Sequence, residues 1–146
     1  MITDHDTIVA RARSLLGTPF IHQGRTASGI DCIGLLAYAL DYRGKMPAYP
    51  RDPVNGELER ELERIFGPPV VTADRRNPLR TTAGLQRCDI LSIQYKGPIR
   101  HVAMVVEHVA IPNQLSIIHT DSNVERVTEC ILDQYWLNKI VKVWRP

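Results

Sequence analysis

Apolar residues recur with helical spacing through the first third of the chain. In DTIVARARSLLG, Ile8, Ala12, Leu15 and Leu16 fall at i, i+4, i+7 and i+8, one buried stripe along a helix. An Asp is available as N-cap and Gly17 as terminator. Thr18-Pro19 then forces extended chain, and HQGRTASG reads as a loop delivering the backbone to Asp31 and Cys32. CIGLLAYAL opens a second helix, predicted over about 32–43. After the turn-rich GKMPAYPRDPVNG, the segment ELERELERIF places Leu58, Leu62, Ile65 and Phe66 on one face. Its Glu and Arg residues read as a solvated face. Residues 67–88 form a long connection with one short element expected around Pro69 to Ala73.

From residue 89 the period shifts to two. DILSIQY, RHVAMVVEHV and QLSIIHT are β-rich runs bounded by KGP, IPN and DSN, the pattern of an antiparallel meander. CILDQYWLN predicts a short helix and KIVKVWRP a last strand. Helices in one block and strands in the next predict an α+β domain over 1–146, its helices packed on one face of an antiparallel sheet. No repeat or low-complexity linker interrupts it.

Composition narrows the function. No apolar run approaches the roughly 18 residues of a membrane helix, so no membrane partner is expected. A net charge of +2, with RRNPLR lacking interleaved aromatics, argues against nucleic acid. The start, MITDHDTIVARAR, has no apolar core of signal-peptide length, which leads us to expect cytoplasmic synthesis. Three cysteines, Cys32, Cys88 and Cys130, are odd in number and far apart, so reduced thiols are the expectation.

Cys32 is the chemically interesting one. It stands on the first turn of a helix, where unpaired N–H groups and the helix dipole favour a thiolate. A nucleophilic thiol needs an imidazole to take its proton and return one to a leaving amine. Of five histidines, His5 lies at the frayed terminus. Strand parity sorts others: His101 shares a face with Ala103 and Val105, whereas His108 shares the opposite one with Val102, Met104 and Val106. If the hairpin turns about Ala110 to Pro112, His119 falls opposite His101 or Ala103 and both imidazoles project from one side. Such neighbours lie about 5–8 Å apart at their β carbons. His119 could then set the tautomer and ring plane of His101. His108 is left as a rim or hydrogen-bonded residue, and Asp31 as a helix cap or substrate contact. Cys88 and Cys130 read as inert packing. A zinc site from Cys32, His101 and His119 has suitable ligands but no local spacing, so neither metal nor organic cofactor is expected.

Three pieces of the chain, ARSLLGTPFIHQGRTASGIDCIGLLAYAL, CDILSIQYKGPIRHVAMVVEH and SIIHTDSNVERVTE, resemble the NlpC-type cell-wall peptidases, a papain-like cysteine hydrolase family. The resemblance implies Cys32 as nucleophile, His101 as base and His119 as the third polar residue. It implies a peptidoglycan stem peptide as substrate, commonly cut after D-γ-glutamyl residues. GTPFIHQ and the closing WLNKIVKVWRP look most like the bacteriophage tail and prophage branch, which implies phage tail proteins as partners and a way outside without a signal peptide. The chain departs from the family at Phe20, where a tyrosine is frequent, at Ile33, where Ser is usual, and at Cys88, where Gly precedes the Asp. Loss of the tyrosine hydroxyl removes one donor near the oxyanion, leaving the Cys32 N–H and His22 as candidates. Arg25 and Arg100 would suit a carboxylate-rich substrate. Two rival readings use the same fold: a non-catalytic tail-assembly or peptidoglycan-binding module, and a thiol acyltransferase or thioesterase with a greasier cleft.

Overall fold

Asp4 starts the first helix, α1 (His5–Arg13), by accepting the Thr7 backbone N–H at 3.0 Å. The computed structural model describes residues 1–46, 56–97 and 101–146. Ile8, Val9 and Ala12 face inward from α1, but the helix ends at Arg13, earlier than the apolar spacing suggests. Leu15 is still buried, whereas Leu16 is exposed, because the helical period no longer governs where side chains point. Gly17, with φ of +86°, then turns the chain. The expected loop that follows contains a small hairpin, β1 (Arg25–Thr26) paired with β2 (Gly29–Ile30).

That hairpin feeds α2 (Cys32–Leu40), which ends at Asp41 in the left-handed conformation rather than reaching residue 43. Gly34 is required here by close approach: a β carbon at this position would lie 2.2 Å from the Gly24 carbonyl oxygen. The α2 start can therefore press against the loop that carries Asp31. In α3 (Glu57–Phe66), Leu58 and Leu62 turn inward as the spacing predicts. Its acids are not merely solvated. Glu59 and Glu63 hold the Lys142 ammonium at 2.8 and 2.9 Å, tying α3 to the last strand.

The remaining strands are β3 (Val71–Thr72), β4 (Ile90–Ile93), β5 (His101–Glu107), β6 (Leu115–His119), β7 (Thr128–Ile131) and β8 (Ile140–Trp144), with the four-residue α4 (Gln134–Leu137) before β8. They form one antiparallel sheet in the order β3-β8-β4-β5-β6-β7. The predicted meander is β4-β5-β6, and the short element near residues 69–73 is β3. The helix expected over CILDQYWLN is shorter than its apolar pattern suggests. Cys130 and Ile131 pair with β6 as part of β7, where their backbone groups satisfy that strand's outer edge, and only Gln134–Leu137 is helical behind its Asp133 cap.

Both faces of the sheet are covered. Ile90, Val102, Met104, Val106 and Ile118 pack with residues of α1, α2 and α3; strand parity leaves open which face meets the helices, and packing settles it as the one opposite His101. Leu91, Ala103, Val105, Ile117 and Val143 form a second core with Leu85, Leu132 and Leu137. Continuous burial on both sides explains why β4 and most of β5 are fully buried rather than alternating. The His101 face therefore looks into this second core, and only the end of β5 brings the imidazole toward α2.

Candidate active site

Extending the Met104–Ile118 pairing by one residue puts His119 across from Ala103, two positions from His101 on the same face. The two rings meet: His101 Nε2 and His119 Nδ1 are 2.9 Å apart, and each residue is only 1% exposed. Tyr95 stacks on His101, with centroids 5.7 Å apart and planes at 21°. Trp136 of α4 sets its edge against His119 at 4.8 Å. The pair is thus held between β-sheet neighbours and two aromatic rings.

Cys32 reaches the same place from the helix side. It lines a cavity of about 960 Å³ together with Phe20, His22, Asp31, His101 and Asp121. The backbone N–H groups of Val102, the residue after His101, and of Ile33 favour a thiolate at this sulfur. These two amides do not win. Burial, then the Asp31 carboxylate, push the Cys32 thiol up from 9.0 to about 12, which reverses the sequence expectation of a lowered value. The helix N-terminus contributes less than desolvation costs, since Asp31 directs one carboxylate oxygen into that same first turn. His101 moves the other way: burial and then neighbouring His119 push it from 6.5 down to about 3. The resting pair is a neutral thiol and a neutral imidazole. His101 Nδ1 is buried and has no hydrogen-bond partner among the described residues, so the sulfur and the ring share a cavity without being bonded at rest.

Asp31 acts chiefly as a structural cap. One oxygen accepts the Gly34 N–H at 2.8 Å and the Arg25 guanidinium at 2.9 Å, and the other accepts the Gln23 N–H at 2.8 Å. Arg25 is therefore engaged with the cap of α2, and it is not among the residues lining the cavity. Phe20 and His22 do line it. Arg100 lies outside the described residues. His108 accepts the Ala110 and Ile111 N–H groups at 3.0 and 2.9 Å and so shapes the β5–β6 turn. Cys88 is buried with φ of +70°, a left-handed conformation that accounts for the glycine usual at this point of the family pattern.

Sequence reasoning missed Tyr95, Asp121 and Trp136. The signal for Asp121 was the DSN turn directly after His119: one oxygen accepts the Asn123 and Val124 N–H groups at 2.8 and 3.0 Å. The other accepts the Tyr95 hydroxyl at 2.7 Å and lies 3.9 Å from His101 Nε2. Asp121 also replaces Cys32 in the cluster with metal-ligand geometry. Among the described residues, His101, His119 and Asp121 bring ligand atoms within 4.8 Å of one another, and the two imidazoles are also in contact with each other through His101 Nε2 and His119 Nδ1.

The model of the NlpC/P60 family matches residues 17–145. The chain belongs to the NlpC/P60 family. Among solved structures it resembles the NlpC/p60 domain of the peptidoglycan hydrolase SagA, with a TM-score of 0.58 and 20% identity over 99% of this chain and 100% of that one. It also resembles an NlpC/P60 family protein from Bacillus cereus, with a TM-score of 0.59 and 20% identity over 99% of this chain but 41% of that protein. At such identity the two likenesses establish the mixed α+β, papain-like fold. No curated protein sequence matches the chain.

The shifted groups of this NlpC/P60 domain predict how its stability responds to pH. Between about 3 and 6.5 the unfolded chain binds a proton at His101 that the fold excludes, so stability falls as pH drops through that window. Between 9.0 and about 12 the unfolded chain releases a proton that folded Cys32 retains, so stability also falls as pH rises there. Cys32→Ala should flatten the alkaline decline by up to one proton, about 1.4 kcal/mol per pH unit, and leave the acid limb unchanged. Denaturant unfolding at stepped pH tests this; an unaltered alkaline slope contradicts the burial of the sulfur.

Proposed function

We propose that the protein is a cysteine endopeptidase or amidase that hydrolyses amide bonds in peptidoglycan stem peptides, after D-γ-glutamyl residues, through a thioester on Cys32. The observation that carries this reading is the shared cavity of Cys32 and His101, with a bare imidazole nitrogen buried beside it. Membership of the NlpC/P60 family supports it. Because the resting pair is neutral, substrate entry must bring thiol and imidazole together. As sulfur attacks the carbonyl carbon, its proton passes to His101 Nδ1. The imidazolium so formed donates from Nε2 to His119, and Asp121 stabilises its charge. His101 then protonates the leaving amine, and in the second half it deprotonates the water that cleaves the thioester. The Cys32 N–H at the start of α2, with His22 as a second donor, would face the oxyanion. The tail-like pieces of the sequence make phage tail proteins its proposed partners and a virion its proposed destination after cytoplasmic synthesis.

A thiol acyltransferase or thioesterase reading gains from one feature: Leu36, Leu40, Leu58, Leu62 and Phe66 also line the cavity. Mass analysis of purified stem peptides incubated with the enzyme decides between them. Hydrolysis yields two fragments whose masses sum to substrate plus water, with a new D-γ-glutamyl carboxyl end. Transfer of an acyl group from an added thioester supports the second reading, and wall binding without turnover supports a binding module. Cys32→Ala should be inactive; ordinary turnover by that variant overturns the mechanism.

A further inference from the structure

A neutral imidazole carries one N–H, so a chain of two imidazoles can hold its protons in either of two directions. Which direction this one takes follows from the groups at its ends. At the inner end, His101 Nδ1 is buried with no partner among the described residues. A buried N–H with nothing to donate to costs more than a bare acceptor, so the His101 proton belongs on Nε2. There it is donated to His119 Nδ1 across 2.9 Å. His119 must then carry its own proton on Nε2, and the partner there is the Cys130 sulfur, 3.7 Å away on the neighbouring strand β7.

From this geometry we infer that Cys130 is a positioning residue: its sulfur accepts the His119 Nε2–H and thereby holds the histidine chain in the direction that leaves His101 Nδ1 free to act as a base. In the reversed direction the Cys130 thiol donates to His119 Nε2, His119 donates to His101 Nε2, and His101 Nδ1 carries a hydrogen that blocks proton transfer from Cys32. The two states differ in which way the far sulfur bonds. β6–β7 pairing places Cys130 directly opposite Ile117, two residues before His119 on the same face. The Trp136 side chain lies near enough to favour negative charge on the same sulfur and meets the His119 ring in a T-shaped contact at 4.8 Å, which keeps sulfur and ring together. Burial pushes the Cys130 thiol up to about 11, so the sulfur works as a neutral acceptor and adds no charge beside His119. Neighbouring charges at this end are Asp121, Glu129 and Asp133.

The inference rests on His101 being the base, and two measurements separate them. Long-range proton–nitrogen NMR of the imidazoles reads the tautomers whether or not the protein turns over. The wild type should show both His101 and His119 protonated at Nε2. Cys130→Val, which removes the acceptor at similar volume, should move a measurable fraction to Nδ1, and Cys130→Ser should restore Nε2. On a stem peptide, Cys130→Val should lower kcat by about 10-fold with little change in KM, with Cys130→Ser recovering most of it. Predominant Nδ1 protonation of either histidine in the wild type overturns the inference, as do unchanged tautomers in a folded Cys130→Val protein. Correct tautomers without any turnover would leave the positioning role standing and count against the hydrolytic reading instead.

Discussion

Replacing His101 with glutamine is expected to lower kcat/KM on a stem peptide by about 10²–10⁴-fold, the span a positioned acid–base group supplies. Glutamine is similar in length and can still hydrogen-bond His119, so the buried position keeps a polar partner and the β5–β6 register survives. What it lacks is a nitrogen that can take a proton from sulfur at neutral pH. The loss should fall on kcat, since the carbonyl is still bound beside Cys32 and only the proton transfer is disabled. Cys32 should remain in the cavity and react with a small alkylating agent as in the wild type. Burial already keeps the thiol protonated at rest, so its resting reactivity owes little to the ring. Steady-state kinetics with alkylation as a control checks this. A glutamine variant with near wild-type kcat would mean that another group takes the proton.

Arg145→Met is expected to remove about 3 kcal/mol of stability, at the lower end for breaking a buried ion pair. Asp89 is fully buried at the start of β4, where its two oxygens accept the Arg145 Nε and Nη2 at 2.8 Å each, and a third bond comes from the Gln86 N–H. Taking away the guanidinium leaves a carboxylate inside the fold with one remaining partner. Water can reach part of the gap because Arg145 itself is 35% exposed, hence the lower end of the range. Adding Asp89→Asn to Arg145→Met should recover part of the loss, because a neutral amide costs less to bury unpaired. Urea unfolding of the two variants provides the measurement, and a change below about 1 kcal/mol would place the pair among ordinary surface bridges. The strut also gives meaning to two features of the sequence, the Asp-Ile strand start and the Trp-Arg-Pro ending. Both clamp β4 to β8 and leave the site's chemistry to other residues.

The parts of the site that were legible in the sequence are those built from local signals. Asp31 before an apolar run announced a capped helix and put Cys32 on its first turn, and alternation along β5 and β6 put His101 and His119 on one face. The hidden parts depend on where chain segments meet. Asp121 looked like a turn residue, which it is, but the turn also leaves its second oxygen 3.9 Å from His101. Cys130 looked like packing inside a helix. Its real place on β7 follows from pairing with β6, a long-range choice no window of neighbouring residues records.

Local periodicity and capping chemistry, then, determined α1 to α3, the β4-β5-β6 meander and the last strand, and with them the placing of Cys32, His101 and His119, whereas β1, β2 and β7 arise from pairing. Tertiary structure alone decided the protonation of those residues. A thiol's acidity depends on the water and charges around it, and burial here outweighs the helix start that the sequence displays. An imidazole's tautomer depends on what each nitrogen touches, and those partners come from strands and turns far apart along the chain.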